Sequence, residues 1–142
     1  DDALDLYRAP GEEAGIAFEA ALDPATVAGD RDLLFQMVAN LLDNALKFAP
    51  PGSSVQVRTQ CLAGKSRLLV SDRGPGVPAA ERERVFDRFY RVERSRHAPG
   101  SGLGLALVKA VVDHHRGTVW LEDAAPGLRV VAELPAADSR TP

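Results

Sequence analysis

The hydrophobic period of this chain switches repeatedly between two and 3.6, which restricts it to a sheet packed against helices. Ile16, Phe18, Ala20 and Leu22 alternate with other residues, as do Val55, Val57, Thr59 and Cys61, and that is the period of a half-buried strand. Arg67 to Ser71 reads as a short apolar strand, and Val119 to Leu121 with Leu128 to Leu134 as a final pair. Ala63-Gly64-Lys65 and Ala125-Pro126-Gly127 suit the connecting turns. Between the strands, the spacing predicts a helix over about Asp32 to Phe48, capped by Asp30 and stopped by Pro50-Pro51-Gly52. A second helix is expected from Gly104 to His115, with the stripe Leu105, Val108, Val111, Val112, His115 and an end at Gly117. Strands covered on one face by helices make a two-layer α/β sandwich.

At 142 residues, 45% of them hydrophobic, the chain is the size of one domain with enough apolar side chains for a core. Its net charge of −3 offers no broad basic surface for nucleic acid, although arginines gather between Arg82 and Arg96. The lone Cys61 excludes an internal disulfide, and its place in an alternating run predicts a buried thiol. No apolar run approaches the roughly 18 residues of a membrane span, so no direct membrane contact is expected. The acidic start and the Pro-Ala-Ala-Asp-Ser-Arg-Thr-Pro tail look like the edges of a domain cut from a longer protein.

Four stretches carry chemistry. On the first long helix, Asn40, Asn44 and Lys47 fall on one narrow face, with Gln36 one turn earlier. Such a stripe can be a plain solvated face, but asparagine lowers helix propensity, and two at this spacing suggest a site. Next, Asp72-Arg73-Gly74-Pro75-Gly76 ends a strand in a carboxylate followed by alternate glycines. That pattern reads either as an Asx-turn or as a carboxylate accepting an exocyclic amine, with glycines admitting a flat ring against the backbone. Phe86-Asp87-Arg88-Phe89-Tyr90-Arg91 then interleaves packing aromatics with guanidinium groups. Finally, Gly100-Ser101-Gly102-Leu103-Gly104-Leu105 sets three alternate glycines before a helix, either a simple turn or a phosphate loop. The stretch from Arg91 to Gly100 lacks any period and is long enough to suspect a lid.

In this order and spacing, Asn40 to Phe48, Asp72 to Gly76, Phe86 to Phe89 and Gly100 to Leu105 resemble four boxes of one family. These are the N, first glycine, F and second glycine boxes of the catalytic and ATP-binding domain of bacterial two-component sensor histidine kinases. The resemblance covers about residues 4–135 of a single domain spanning 1–142. It implies the Bergerat ATP-binding fold: an α+β two-layer sandwich with a mixed, mostly antiparallel sheet, about three helices on one face and a flexible ATP lid. It further implies that Asn44 places its amide oxygen on Mg²⁺ and that Lys47 meets a phosphate. Asp72 would receive the adenine amine, with Gly74 and Gly76 admitting the base and Phe48 flanking it. Gly100, Ser101, Gly102, Leu103, Gly104 and Leu105 would hold the phosphate tail, and Arg88 or Arg91 would offset charge on the departing γ-phosphoryl. Asn40 stands where gyrase-like ATPases carry a water-activating glutamate, so an amide here implies poor hydrolysis and transfer to a histidine instead.

None of His97, His114 and His115 has the context of that acceptor, and no His/Cys spacing suggests zinc. The acceptor helical hairpin is therefore expected upstream of Asp1, with a response regulator reached through the parent protein. The isolated domain is expected to be a cytoplasmic monomer, or the cytoplasmic part of a membrane-anchored sensor. Arg73 stands where the family commonly has Asn, and Tyr7-Arg8-Ala9-Pro10 is expected to interrupt the first helix early. Alternatives are an anti-sigma-type serine kinase, a Bergerat ATPase, or a non-catalytic nucleotide-sensing docking module.

Overall fold

A computed structural model of the chain describes residues 2–23, 25, 27–82, 84–87 and 104–136. The elements are α1 (Asp2–Glu13), β1 (Ala17–Leu22), α2 (Arg31–Phe48), β2 (Ser54–Leu62), β3 (Lys65–Ser71), α3 (Gly104–His114), β4 (Thr118–Asp123) and β5 (Leu128–Pro135). Short 3-10 turns lie at Ala79–Glu81 and Arg84–Phe86. The strands form one sheet in the order β1-β2-β3-β5-β4. β1 pairs with β2 in parallel and the other three pairings are antiparallel, giving the mixed, mostly antiparallel sheet that was expected.

Register sorts the side chains onto two faces. Val57, Val70, Val130 and Leu121 form one cross-strand row, and Thr59, Leu68, Ala132 and Val119 the next. Alternation turns these rows to the same side, where the helices contribute Leu4, Leu41, Leu42, Val108 and Val112 to a single core. The opposite face carries the rows through Ser71 and Arg129 and through Leu69, Val131 and Trp120. There Arg67 stacks 5.5 Å from the Trp120 ring centroid and pairs with Glu133. Trp120 Nε1–H donates to Glu122 at 2.8 Å; that bond and Arg129 hold the Glu122 carboxyl below its ordinary range. Arg67 and Arg129 on the outward face thus each have an acidic partner, and Val131 between them is 1% exposed.

The cap Asp30 behaves as its sequence position predicts, accepting from Asp32 N–H at 2.9 Å and Leu33 N–H at 3.1 Å. The buried arc of α2 runs through Met37, Leu41, Leu42 and Ala45, with Leu34 and Val38 half-buried at its flank. It is wider than the expected stripe because α2 packs on both the sheet and α3.

Three expectations are corrected. Helix α1 runs through Pro10 to Glu13; the inward Ala3, Leu4, Tyr7 and Gly11 keep helical spacing, and that packing outweighs the one bond the proline removes. On β1 only Phe18 is buried, while Ala20 and Leu22 are exposed, because β1 is an edge strand whose second half has no helix above it among the described residues. Cys61 is exposed, not buried, since β2 extends past the helices that cover its first half.

The β2–β3 connection yields a prediction. Leu62 pairs with Lys65, and both turn residues have positive φ, 50° at Ala63 and 77° at Gly64. That is the conformation of a two-residue hairpin turn favouring Asn-Gly. Ala63→Asn is expected to stabilise by about 0.5–1 kcal/mol, read as a rise of a few degrees in Tm. An unchanged or lower Tm would contradict it.

Candidate functional site

Asp72 follows β3 and, by alternation, shares the helix-covered face with Val70. It is 4% exposed. Its Oδ1 accepts from the Gly74 N–H at 2.8 Å and from the Leu128 N–H at 3.4 Å. Among the described residues Oδ2 takes neither bond, so one carboxylate oxygen stays an acceptor for a donor from elsewhere. Burial pushes the carboxyl above its ordinary value of 3.8, and the two backbone N–H groups pull the other way.

The turn after Asp72 is pressed onto the end of α2. A Cβ on Gly74 would overlap the Phe48 carbonyl oxygen and lie 3.1 Å from Asp72 Oδ1, so no side chain fits there. Phe48 itself is half-buried. Gly76 has φ +74° and lies beside the Gly127 carbonyl.

Farther up α2, Asn40 and Asn44 are half-buried one turn apart. The first residue of α3, Gly104, approaches Asn40: a Cβ built on it would lie 4.0 Å from Asn40 Oδ1. Helix α2 thereby acts as a rail, meeting α3 at Asn40 and the Asp72 turn at Phe48, about 12 Å apart along its axis, with Asn44 between. The first turn of α3 begins at the Asn40 end, and a helix N-terminus directs its backbone N–H groups outward along the axis. Leu105 is half-buried and packs against the core. Lys47 is exposed and pairs with Asp43 at 3.3 Å, an i,i+4 surface pair weak enough to exchange for another anion. Arg88, Arg91, Gly100, Ser101, Gly102 and Leu103, together with the expected lid, lie outside the described residues.

The β4–β5 turn is a part of the site that the sequence reading missed. Leu128 both gives its N–H to Asp72 Oδ1 and, through its carbonyl, takes the Asp72 N–H at 3.0 Å. Gly127, at φ +102°, lies against the Asp72 backbone. Pro126-Gly127 signals a turn, but nothing in its pattern points to a partner fifty-six residues away.

A hollow of about 80 Å³ on the outward face, lined by Ser71, Arg73, Pro126 and Arg129 among others, falls far below the roughly 300 Å³ of small-molecule pockets. The candidate groups instead line up along α2. They offer a buried acceptor for an amine at one end, amide oxygens suited to a hard cation in the middle, and helix N–H donors for an anion at the other.

Residues 29–138 match the model of the family described as Histidine kinase-, DNA gyrase B-, and HSP90-like ATPase. The chain is 53% identical over 123 residues to the signal transduction histidine-protein kinase/phosphatase MprB of Mycolicibacterium vanbaalenii, covering 86% of this chain and 25% of that protein. It is 50% identical over 123 residues to MprB of Mycobacterium tuberculosis, covering 86% of this chain and 24% of that protein. It therefore spans about a quarter of the length of these curated relatives. Among solved structures, a mycobacterial sensor histidine kinase MprB superposes with a TM-score of 0.89 at 41% identity, covering 96% of this chain and 92% of that one. Full-length ShkA in complex with AMPPNP superposes with a TM-score of 0.84 at 30% identity, covering 97% of this chain and 29% of that one. The chain belongs to the Histidine kinase-, DNA gyrase B-, and HSP90-like ATPase family, among the catalytic domains of its sensor histidine kinases.

Proposed function

We propose that this chain binds Mg-ATP along α2 and transfers the γ-phosphoryl group to a histidine on a separate helical hairpin of its parent protein. The observation that carries this reading is the buried Asp72 carboxylate, with Oδ1 tied to the backbone and Oδ2 unused among the described residues, at the opposite end of the rail from Gly104. Asp72 Oδ2 accepts the adenine amine, and Phe48 and Gly74 border the base. Asn44 would offer an amide oxygen to Mg²⁺, which would neutralise charge on the triphosphate. Asn40, the N-terminal N–H groups of α3 and the stretch from Gly100 to Leu105 hold the phosphates. Lys47 exchanges Asp43 for a phosphate, and Arg88 or Arg91 offsets charge at the departing group.

In the transfer, the bond from the γ-phosphorus to the β,γ-bridging oxygen breaks and a bond to an imidazole nitrogen forms, with ADP leaving and the imidazole N–H proton released. The imidazole is a sufficient nucleophile once in line. The Asn40 amide cannot deprotonate water, so ATP hydrolysis stays slow. The partners are the acceptor hairpin and, through the parent, a response regulator, and the domain works on the cytoplasmic side as a monomer. Among the described residues no helix is long and apolar enough to cross a membrane.

Calorimetric titration with ATP and GTP, each with and without Mg²⁺, tests the binding half. Adenine-selective, Mg-assisted binding is expected, and Asn44→Ala should weaken Mg-ATP at least about tenfold, or about 1.4 kcal/mol, while leaving Mg-free ATP unchanged. Absence of ATP binding by the parent chain would overturn the reading. Transfer of labelled phosphoryl from ATP to supplied acceptor helices tests the other half.

A further inference from the structure

His115, just past the last turn of α3, holds a bond at each ring nitrogen. Nδ1 lies 2.8 Å from the Val111 carbonyl oxygen, and Nε2 accepts the backbone N–H of Asp30 at 3.1 Å. A carbonyl only accepts and a backbone N–H only donates, so the two bonds place the ring proton on Nδ1 and leave Nε2 bare. Asp30 is the N-cap of α2, and its N–H points out of the helix it caps. The imidazole therefore bridges the C-terminal end of α3 to the N-terminal end of α2. The neighbouring Gly29 makes room for it: a Cβ there would overlap Cδ2 and Nε2 of the ring.

The two helices run antiparallel, since Gly104 meets Asn40 while His115 meets Asp30. The core they share is aliphatic, with Val108, Val111 and Val112 from α3 and Met37, Leu41 and Leu42 from α2. Aliphatic contact is non-directional and so defines position along the helix axis less sharply than a hydrogen bond at the end of the pair. We propose that His115 is a positioning residue, which sets the axial register of α3 on α2 and so fixes where Gly104 stands relative to Asn40 and Asn44. This inference rests on the nucleotide reading above and deepens it. His115 acts on the phosphate and metal end of the site and not on the base end, because Asp72 is held by β5 and the β4–β5 turn.

The test separates the two ends. Affinities for Mg-ATP and for adenosine, which lacks the phosphates, are measured on the parent chain and three variants well below their Tm. His115→Phe keeps the ring volume and loses both bonds. Gly29→Ala leaves His115 intact and wedges it away. His115→Gln supplies a carbonyl to accept the Asp30 N–H. The first two are expected to weaken Mg-ATP on the order of tenfold with adenosine unchanged, and the glutamine variant to stay within about threefold of the parent, under 0.7 kcal/mol. Should His115→Phe fail to fold, Gly29→Ala carries the comparison. Unchanged Mg-ATP affinity in folded variants, or equal losses for Mg-ATP and adenosine, would overturn the positioning role while leaving the nucleotide site standing. A parent chain that binds neither ligand would instead remove the reading on which it rests.

Discussion

Asp72→Asn is expected to keep the domain folded at neutral pH, with a Tm at or above that of the parent, while losing ATP affinity on the order of 100-fold. The amide retains the oxygen that accepts the Gly74 and Leu128 N–H groups, so no buried donor is orphaned. At the position of Oδ2 it puts an NH₂ group, a donor facing the donor on adenine, and a charge-assisted hydrogen bond worth about 1.5–3 kcal/mol is lost. Purines with a carbonyl in place of that amine should gain relative to ATP, reversing the base preference. Because burial raises the folded-state pKa of Asp72 above its ordinary value, protonation stabilises the fold. That contribution is complete below the unfolded-state value and is lost as pH rises through the folded-state value. The stability advantage of the asparagine variant over the parent should therefore widen from acid to neutral pH. For the same reason, ATP binding by the parent should fade on acidification while the pH is still above the ordinary carboxylate range. Asp72→Ala, which orphans both N–H groups, should lose stability as well as affinity. An asparagine variant that binds ATP as the parent does would remove Asp72 from base recognition.

The second large effect lies in the turn behind it. In Gly127→Ala the new methyl would collide with the Asp72 carbonyl oxygen and fall within 2.7 Å of its carbonyl carbon and 2.8 Å of Arg73 Cα, at a φ of +102°. All three neighbours are backbone, so relief requires the β4–β5 turn to move and the bonds between Asp72 and Leu128 to break. The expected cost exceeds about 3 kcal/mol, with ATP binding lost in whatever fraction stays folded. Gly52→Ala is the control, because it has a similar φ of +85° but nothing within 4 Å of the added carbon, and should cost only about 1 kcal/mol. Equal midpoints for the two variants in urea denaturation would refute the brace.

What the sequence conveys about this molecule is set by how local each cause is. The span of α2 is legible because its cap at Asp30, its stop at Pro50 and its period each lie in the helix or directly beside the end they set. The pairing of β4 with β5 and the buried valines of α3 follow from period and turn in the same way. Exposure is not local. Cys61, Ala20 and Leu22 obey the alternation of a buried strand, yet they are exposed because, among the described residues, no helix packs over those ends of β2 and β1. Pro10 fails as a breaker because tertiary packing of α1 overrides a propensity. In the candidate site, Asp72, Asn40 and Asn44 stand out by being unusual residues for their elements. Gly127, Leu128 and His115 do not, since each works through a partner far along the chain.

The seven-residue pairing of β3 with β5 and the tie from Asp72 to Leu128 close the whole stretch from Arg73 to Gly127 into one loop. The entropy of closing such a loop grows only with the logarithm of its length, so adding ten residues to some fifty costs about 0.2 kcal/mol. Segments between the Asp72 turn and α3 can therefore lengthen or shorten across related proteins at almost no thermodynamic cost. The sheet and α2 keep their geometry, while the length of the segment joining the Asp72 turn to α3 stays free to change from one relative to the next.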